Sequence, residues 1–379
     1  MPKILKIQTT ANKGEWAEFY AHLKIICDQT IPKGNHNLEP DPNTIYSVLA
    51  IFKQNFEYIL NQKQGTIIIH DKNSKTKKAL KILPIKNKLQ NIFNEILAGK
   101  GLGSFTIKEG VILSEYLNLP VTNSQKIKSD IDLKIKDPNT QTDQKLGFSI
   151  KSKITAEATL VNASLQTRFK FKINNIAPEI IQTVNSIEGI SKIRKRIDFL
   201  NVNNIKITSV GCKSDKFKTN LTHFDSIFDI LLGQMMLIAY QDQKIRVTNN
   251  LGADLIKAKS IKDLLSISQS KLFQEYLENH NLNSHIFTNK LKDFLIAFAL
   301  GMEPVKEWSG IDDVNGGIIW IKKDGSIVCH HLFERKELKE YLINNTFFET
   351  PSTSRHQFGY IYEENSQYFF DLCLQIRFK

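Results

Sequence analysis

The sequence predicts an α+β chain: helices first, then strands, then a helical middle and a C-terminal return to strands. Three observations carry this. Apolar residues recur at helical spacing in 13–27, 87–98 and 109–118, alternate strictly with charged ones between 130 and 136, and revert to helical spacing after 223. Hydrophobic residues make up 41% of the 379, which suits a packed core and excludes wholesale disorder. The length allows one large domain or two moderate ones.

The first helix covers 13–27, where Trp16, Phe19, Leu23 and Ile26 make one apolar stripe. The second covers 87–98, with Leu89, Ile92, Phe93, Ile96 and Leu97 on one side, and Gly99 and Gly101 stop it. A third, shorter helix covers 109–118. The period then changes to two in Asp130–Lys136, breaks at the turn Asp137-Pro138-Asn139, and resumes in Leu146–Ser152. These are two strands joined by a polar loop. A third strand, Thr167–Ile173, puts Phe169, Phe171 and Ile173 on one face and Arg168, Lys170 and Lys172 on the other. Helices follow at 223–240, 262–279 and 289–301. A hairpin pairs Ile318–Lys322 with Ser326–Leu332 around Lys323-Asp324-Gly325. A helix at about 333–344, a strand near His356–Tyr362, a turn at Glu364-Asn365-Ser366 and a last strand Tyr368–Phe378 complete the chain. The one candidate boundary is the polar stretch Gln241–Asn250. It separates residues 1–240, which hold both alternating strands, from 241–379, a helical and C-terminal β region; it is short enough that the two can be one continuous domain.

Lys plus Arg is 51 against 39 Asp plus Glu, a formal net charge of +12. A surplus of that size suits a polyanion, nucleic acid or an anionic membrane surface. It also suits plain composition drift, since Asn, Ile and Lys are abundant throughout. The four cysteines form no C-x-x-C pair, so neither a zinc site nor a dense disulfide framework is expected. The first residues carry no apolar signal region. The apolar stretch Ile227–Tyr240 is too short to span a bilayer and is interrupted by Asp229 and Gln234. No amphipathic helix offers a strong basic membrane face. A cytoplasmic protein with no membrane partner is the expectation.

Chemistry concentrates on the two alternating strands. Ile131, Leu133 and Ile135 face the core on the first, and Leu146, Phe148 and Ile150 on the second. Asp130 and Asp132 share the opposite face, as do Ser149 and Lys151. Antiparallel pairing brings one or both aspartates near Ser149 and Lys151. Carboxylates on a rigid sheet can hold Mg²⁺, and a nearby lysine can orient a water and stabilise developing charge, as phosphodiester hydrolysis requires. The plainer reading is the wet face of an ordinary hairpin.

Lys128-Ser129-Asp130-Ile131-Asp132-Leu133 followed by Gly147-Phe148-Ser149-Ile150-Lys151-Ser152 resembles the active-site region of the HpaII family of type II restriction endonucleases. Asn12–Trp16, Thr159–Ser164 with Thr167 and Phe169, Ser354–Gly359 and Leu374–Phe378 resemble it too, in the same order and over nearly the whole chain. The resemblance implies the PD-(D/E)xK nuclease superfamily: a restriction-endonuclease-like mixed sheet flanked by helices, with Mg²⁺-dependent cleavage of double-stranded DNA. Asp130 matches the motif's first aspartate and Lys151 its lysine. Ser149 stands where an acid is usual, so another carboxylate must help hold the metal or the ion must keep an extra water. The candidates are Asp132 and Glu15, since related nucleases bring a glutamate from such a helix; Glu15 also suits a helix-start carboxylate. Glu18, one turn on, is expected to be solvated.

For DNA contacts, Arg168, Lys170 and Lys172 form a basic face suited to phosphates. His330, Arg355 and His356 are candidate readers of bases, in keeping with a family prototype that recognises CCGG, and Asn162 and Gln166 can reach a base or a phosphate. One of His330 and His331 is expected to pack inside. The basic run Lys192–Arg196 reads equally as phosphate binder or solvated helix, and Arg377 as an ion-pair partner. A palindromic site implies a homodimer, with a monomer nicking each strand in turn as the alternative. A cognate DNA methyltransferase is expected as a genetic rather than physical partner. The rivals are a repair or structure-specific nuclease of the same fold, and a nucleic-acid-binding protein without catalysis.

Overall fold

The computed structural model describes residues 10–61, 63–99, 103–122, 129–138, 141–154, 158–242, 260–267 and 277–379. Among them the chain forms two compact units. One is Met1–Ala158 with Asp312–Tyr341; the other is Thr159–Ile311 with Leu342–Lys379. The break expected after residue 240 falls inside the second unit, beside residues 243–259, which lie outside the described ones.

In the first unit, helix α1 (Lys13–Asp28) opens with a capping box. The Asn12 side chain accepts from the Glu15 N–H at 3.0 Å, and the Glu15 carboxylate accepts from the Asn12 N–H at 2.7 Å. Two otherwise orphaned donors are satisfied at once. The helix buries Trp16, Phe19, Tyr20, Leu23 and Ile26, which fixes its orientation on the sheet. Strands β1 (Thr30–Gly34), β2 (Pro40–Lys53), β3 (Phe56–Asn61), β4 (Thr66–Asp71) and β5 (Thr76–Lys81) follow. Next come α2 (Leu83–Ala98), α3 (Lys108–Leu117), β6 (Ile131–Lys136) and β7 (Asp143–Ser152). The later segment adds β8 (Gly317–Ile321) and β9 (Ile327–His331), the expected hairpin.

These strands form one nine-stranded mixed sheet in the order β1-β9-β8-β7-β6-β2-β3-β4-β5. β6 and β7 pair antiparallel, and β7 pairs parallel with β8. A further β1–β2 pairing closes part of the sheet on itself. Ile131, Leu133, Ile135, Phe148 and Ile150 all enter the core beneath α1 and α2. The architecture is the mixed sheet flanked by helices that the sequence implied.

The second unit holds a four-stranded sheet in the order Ile207–Cys212, Arg168–Ile173, Gln367–Cys373, Ile361–Glu364. A three-stranded sheet joins Thr346–Phe348, Ile376–Phe378 and Thr159–Val161, in that order. Phe169, Phe171 and Ile173 are buried, as their alternation predicts. Helices include Phe228–Asp242 and Ser284–Ala299. Of the helix expected over 262–279, Ile261–Ile267 is helical, and 268–276 lies outside the described residues.

Two C-terminal expectations are corrected. Thr353–His356 is a helical turn rather than a strand start, because the Ser352 hydroxyl accepts from the Arg355 N–H and caps it. The strand begins only at Ile361. The last strand breaks at Leu374, whose N–H turns to the Thr167 carbonyl at 2.8 Å, and its two halves join different sheets. All four cysteines are free, and no helix among the described residues is long and apolar enough to cross a membrane.

Candidate active site

The site is built at one end of β6 and β7. The Asp130 N–H donates to the Phe148 carbonyl at 2.9 Å, which anchors the residue just before β6 begins. Its carboxylate then reaches across to β7. Oδ2 accepts from the Ile150 N–H at 2.7 Å and from the Ser149 hydroxyl at 3.1 Å. Ser149 is thus a donor that holds Asp130, in the position where an acid was expected. Lys151 lies two residues on along β7, half-buried, and pairs across to Trp320 of β8.

Asp132 lies opposite Gly147. Its Oδ1 accepts from the Ser129 hydroxyl at 2.6 Å. A Cβ at Gly147 would stand 2.9 Å from the Ser129 Cβ and 3.1 Å from that Oδ1. Only glycine leaves the Asp132 carboxylate room across the strand.

Helix α1 supplies a carboxylate, and it is Glu18. Burial pushes the Glu18 carboxyl up to about 7, with the charge of Asp130 adding to the shift. Lys53 and Lys151 pull it the other way, so both ammonium groups are near neighbours. Glu15 remains engaged in the cap of its own helix. The sequence expectation of a solvated Glu18 is therefore corrected: it lies on the same side of α1 as Glu15, one turn further along, where it is half-buried near Asp130 and Lys53.

Two further residues enter that no motif signalled. Lys53, at the end of β2, is only 8% exposed and donates to the Asp130 carbonyl at 3.1 Å. Burial lowers its pKa, and Glu18, Asp130 and Asp132 oppose that shift. His22, one turn after Glu18, has its Nδ1 2.9 Å from the Glu18 carbonyl. A carbonyl only accepts, so Nδ1 carries the proton and the buried Nε2 is bare, without a protein partner. Burial and the Lys53 charge hold the imidazole neutral, with its pKa near 3. The sequence signal for Lys53 was a single cation closing the apolar run from Val48 to Phe52.

The candidate DNA contacts fare differently. His330 is 2% exposed and belongs to the core. The Trp320 indole N–H donates to its Nδ1 at 2.9 Å, so Nε2 donates to the Asn35 carbonyl at 2.9 Å. It is corrected from reader to structural residue. His331 is equally buried, stacked on Tyr46.

The other candidates belong to the second unit. Arg168 donates to the His356 carbonyl, and Lys170 pairs with Glu364 at 2.7 Å while lying over the Phe369 ring. Lys172 is half-buried on the same strand. Asn162 and Arg355 are exposed; Gln166 and His356 are half-buried. In the basic run, Arg196 is fully buried and binds the carbonyls of Asn185, Ile187 and Gly359, so it is structural. Arg377 pairs with Glu349 at 2.6 Å, as expected.

A mixed sheet that gathers two aspartates, a serine and a lysine at paired strand ends, faced by a helix glutamate, is consistent with an α+β nuclease-like fold. Residues 12–378 match the model of the HpaII restriction endonuclease family. The chain is 33% identical over 377 residues to the type II restriction enzyme HpaII of Haemophilus parainfluenzae, covering 97% of this chain and 98% of that one. The chain belongs to the HpaII restriction endonuclease family and is an endonuclease of the restriction type. No solved structure matches it.

Proposed function

We propose that this protein hydrolyses phosphodiester bonds of double-stranded DNA at a short specific site, CCGG-like as the family resemblance implies, with Mg²⁺ held by Asp130 and Glu18. The observation that carries this reading is the elevated Glu18 carboxyl beside Asp130, two acids brought together where their charges disfavour each other. Such a pair suits a cation.

Among the described residues, no three acidic, histidine or cysteine side chains converge as a metal cage. Mg²⁺ fits without one, because it is commonly held by one or two carboxylates, waters and the substrate's own phosphate. Asp130 offers Oδ1, since Oδ2 is committed to Ser149 and Ile150. Glu18 supplies the acid that Ser149 does not. When bound, the ion would polarise the scissile phosphate and ease loss of a proton from the attacking water. Lys151 orients that water and stabilises charge on the phosphoryl oxygens. Lys53 offsets the charge of the acids from beneath, through its bond to the Asp130 backbone. Asp132, locked by Ser129, shapes the rim of the site. Within this reading Arg168, Lys172, Asn162, Gln166, Arg355 and His356 remain candidate DNA contacts. A two-fold dimer and a cognate methyltransferase complete it.

The test is digestion of DNA of known sequence by the purified protein, with fragment ends sequenced. Discrete fragments with common ends, formed with Mg²⁺ and abolished by EDTA, are expected. Random nicking, or cleavage confined to damaged or branched DNA, would overturn the restriction reading.

A further inference from the structure

Beside the proposed catalytic carboxylates lies a pair of lysines that no acid among the described residues neutralises. Phe52 of β2 sits opposite Asp132 of β6. The Lys145 Nζ stands 4.4 Å from the centre of its ring and the Lys72 Nζ 5.2 Å. Among the described residues, neither ammonium has a carboxylate within ion-pair distance. Lys134, the cross-strand partner of Lys145, does: it pairs with Asp143 at 3.1 Å. Two like charges gathered on one aromatic ring repel each other, and the ring alone offsets only part of that cost.

The two lysines also border a cavity of about 80 Å³ lined by Phe52, Lys53, Gln54, Ser129, Asp130 and Asp132. The cationic pair therefore opens onto the same pocket as the proposed catalytic Asp130. An anion with several oxygens spread over a compact centre suits a pocket bordered by two such donors, and lysine meets it as a point charge.

We infer that Lys72 and Lys145, seated on Phe52, hold a backbone phosphate of the substrate strand next to the scissile one. This rests on the nuclease reading of the Asp130 site and deepens it. The contact carries no sequence information; its task is to set the strand's register over Asp130 and Lys151. Both lysines are exposed, so replacing them leaves the core untouched.

The experiment measures binding of the full chain to a short labelled duplex carrying CCGG, in EDTA, across a salt series. Lys72→Gln/Lys145→Gln is expected to reduce the slope of log K against log salt by about 1, the loss of one neutralised phosphate. Lys72→Arg/Lys145→Arg is expected to retain the wild-type slope. Wild-type protein that binds and cleaves, beside a glutamine pair with an unchanged slope, would overturn the phosphate seat alone. Wild-type protein that neither binds the duplex nor cleaves it with Mg²⁺ would remove the nuclease reading and this inference together.

Discussion

Glu15 and Glu18 show how a single helical turn separates a cap from the carboxylate proposed to hold the metal. Glu15 accepts from the Asn12 N–H, whereas Glu18 feels Asp130, Lys53 and Lys151. Glu18→Gln is expected to lower cleavage on the order of a hundredfold, as loss of a metal-site group typically does. Glu15→Ala is expected to lower stability by about 1 kcal/mol instead. Cleavage rates and urea midpoints of both variants separate the roles, and the reverse pattern would exchange them. His330 gives a second prediction. Its native pKa is held down near 4 by burial, below the ordinary value of 6.5. A depressed histidine favours the native state above the unfolded pKa, and that contribution is lost as pH falls from about 6.5 to about 4. Protonation would also set a second N–H against the Trp320 indole donor. Urea unfolding at pH 7 and pH 4.5 should show wild type losing on the order of 2 kcal/mol more than His330→Gln between the two. Equal losses would contradict the assignment. Asp130 and Lys151 were legible in the sequence because motif and alternation coincide there. Lys53 and His22 were not, because only the fold places Lys53 on the Asp130 backbone and His22 near the Lys53 charge.

At the scale of elements, strict alternation gave β6 and β7, and their antiparallel pairing is the one that brings Asp130 to Ser149. Helix α1 announced itself by its stripe, and its cap can be tested directly. Asn12→Ala should cost about 1 kcal/mol in urea unfolding, with no loss of cleavage beyond that from instability. The strands β1 to β5 were missed. β5 reads Thr-Lys-Lys-Ala-Leu-Lys, exposed at all but one position, so no core face marks it. β2 begins Pro-Asp-Pro-Asn, which is turn chemistry, and becomes apolar only at Ile45. The basic strand Arg168–Ile173 was legible as a strand but not in its contacts. Partners distant in sequence, Glu364 and the His356 carbonyl, take up Lys170 and Arg168. Gly147 ties an element to the site. Gly147→Ala should displace Ser129 and Asp132 and lower cleavage while thermal stability changes little. Unchanged cleavage would show that the position of Asp132 is immaterial.

At the scale of the molecule, the +12 charge is not one patch with one purpose. Lys170, Lys192 and Lys213 sit in ion pairs, and Arg196 is a buried structural cation. Among the described residues, the cations placed beside the proposed site are Lys151, Lys53 and the exposed pair Lys72 and Lys145. The division into two units was also hidden from the sequence, because Asp312–Tyr341 returns to the first unit after a long excursion. Its strand β8 then lies beside the site strand β7.

The central claim is that Asp130, Lys151 and Glu18 form one metal-dependent cleavage site. It is tested most directly by Mg²⁺-initiated single-turnover cleavage of a CCGG duplex by wild type, Asp130→Ala, Lys151→Ala and Glu18→Gln, each first shown to be folded and bound to the duplex in EDTA. The account predicts cleavage by wild type, and loss of roughly a hundredfold to a thousandfold in each variant with binding retained. Cleavage at the wild-type rate by Asp130→Ala or Lys151→Ala would contradict it.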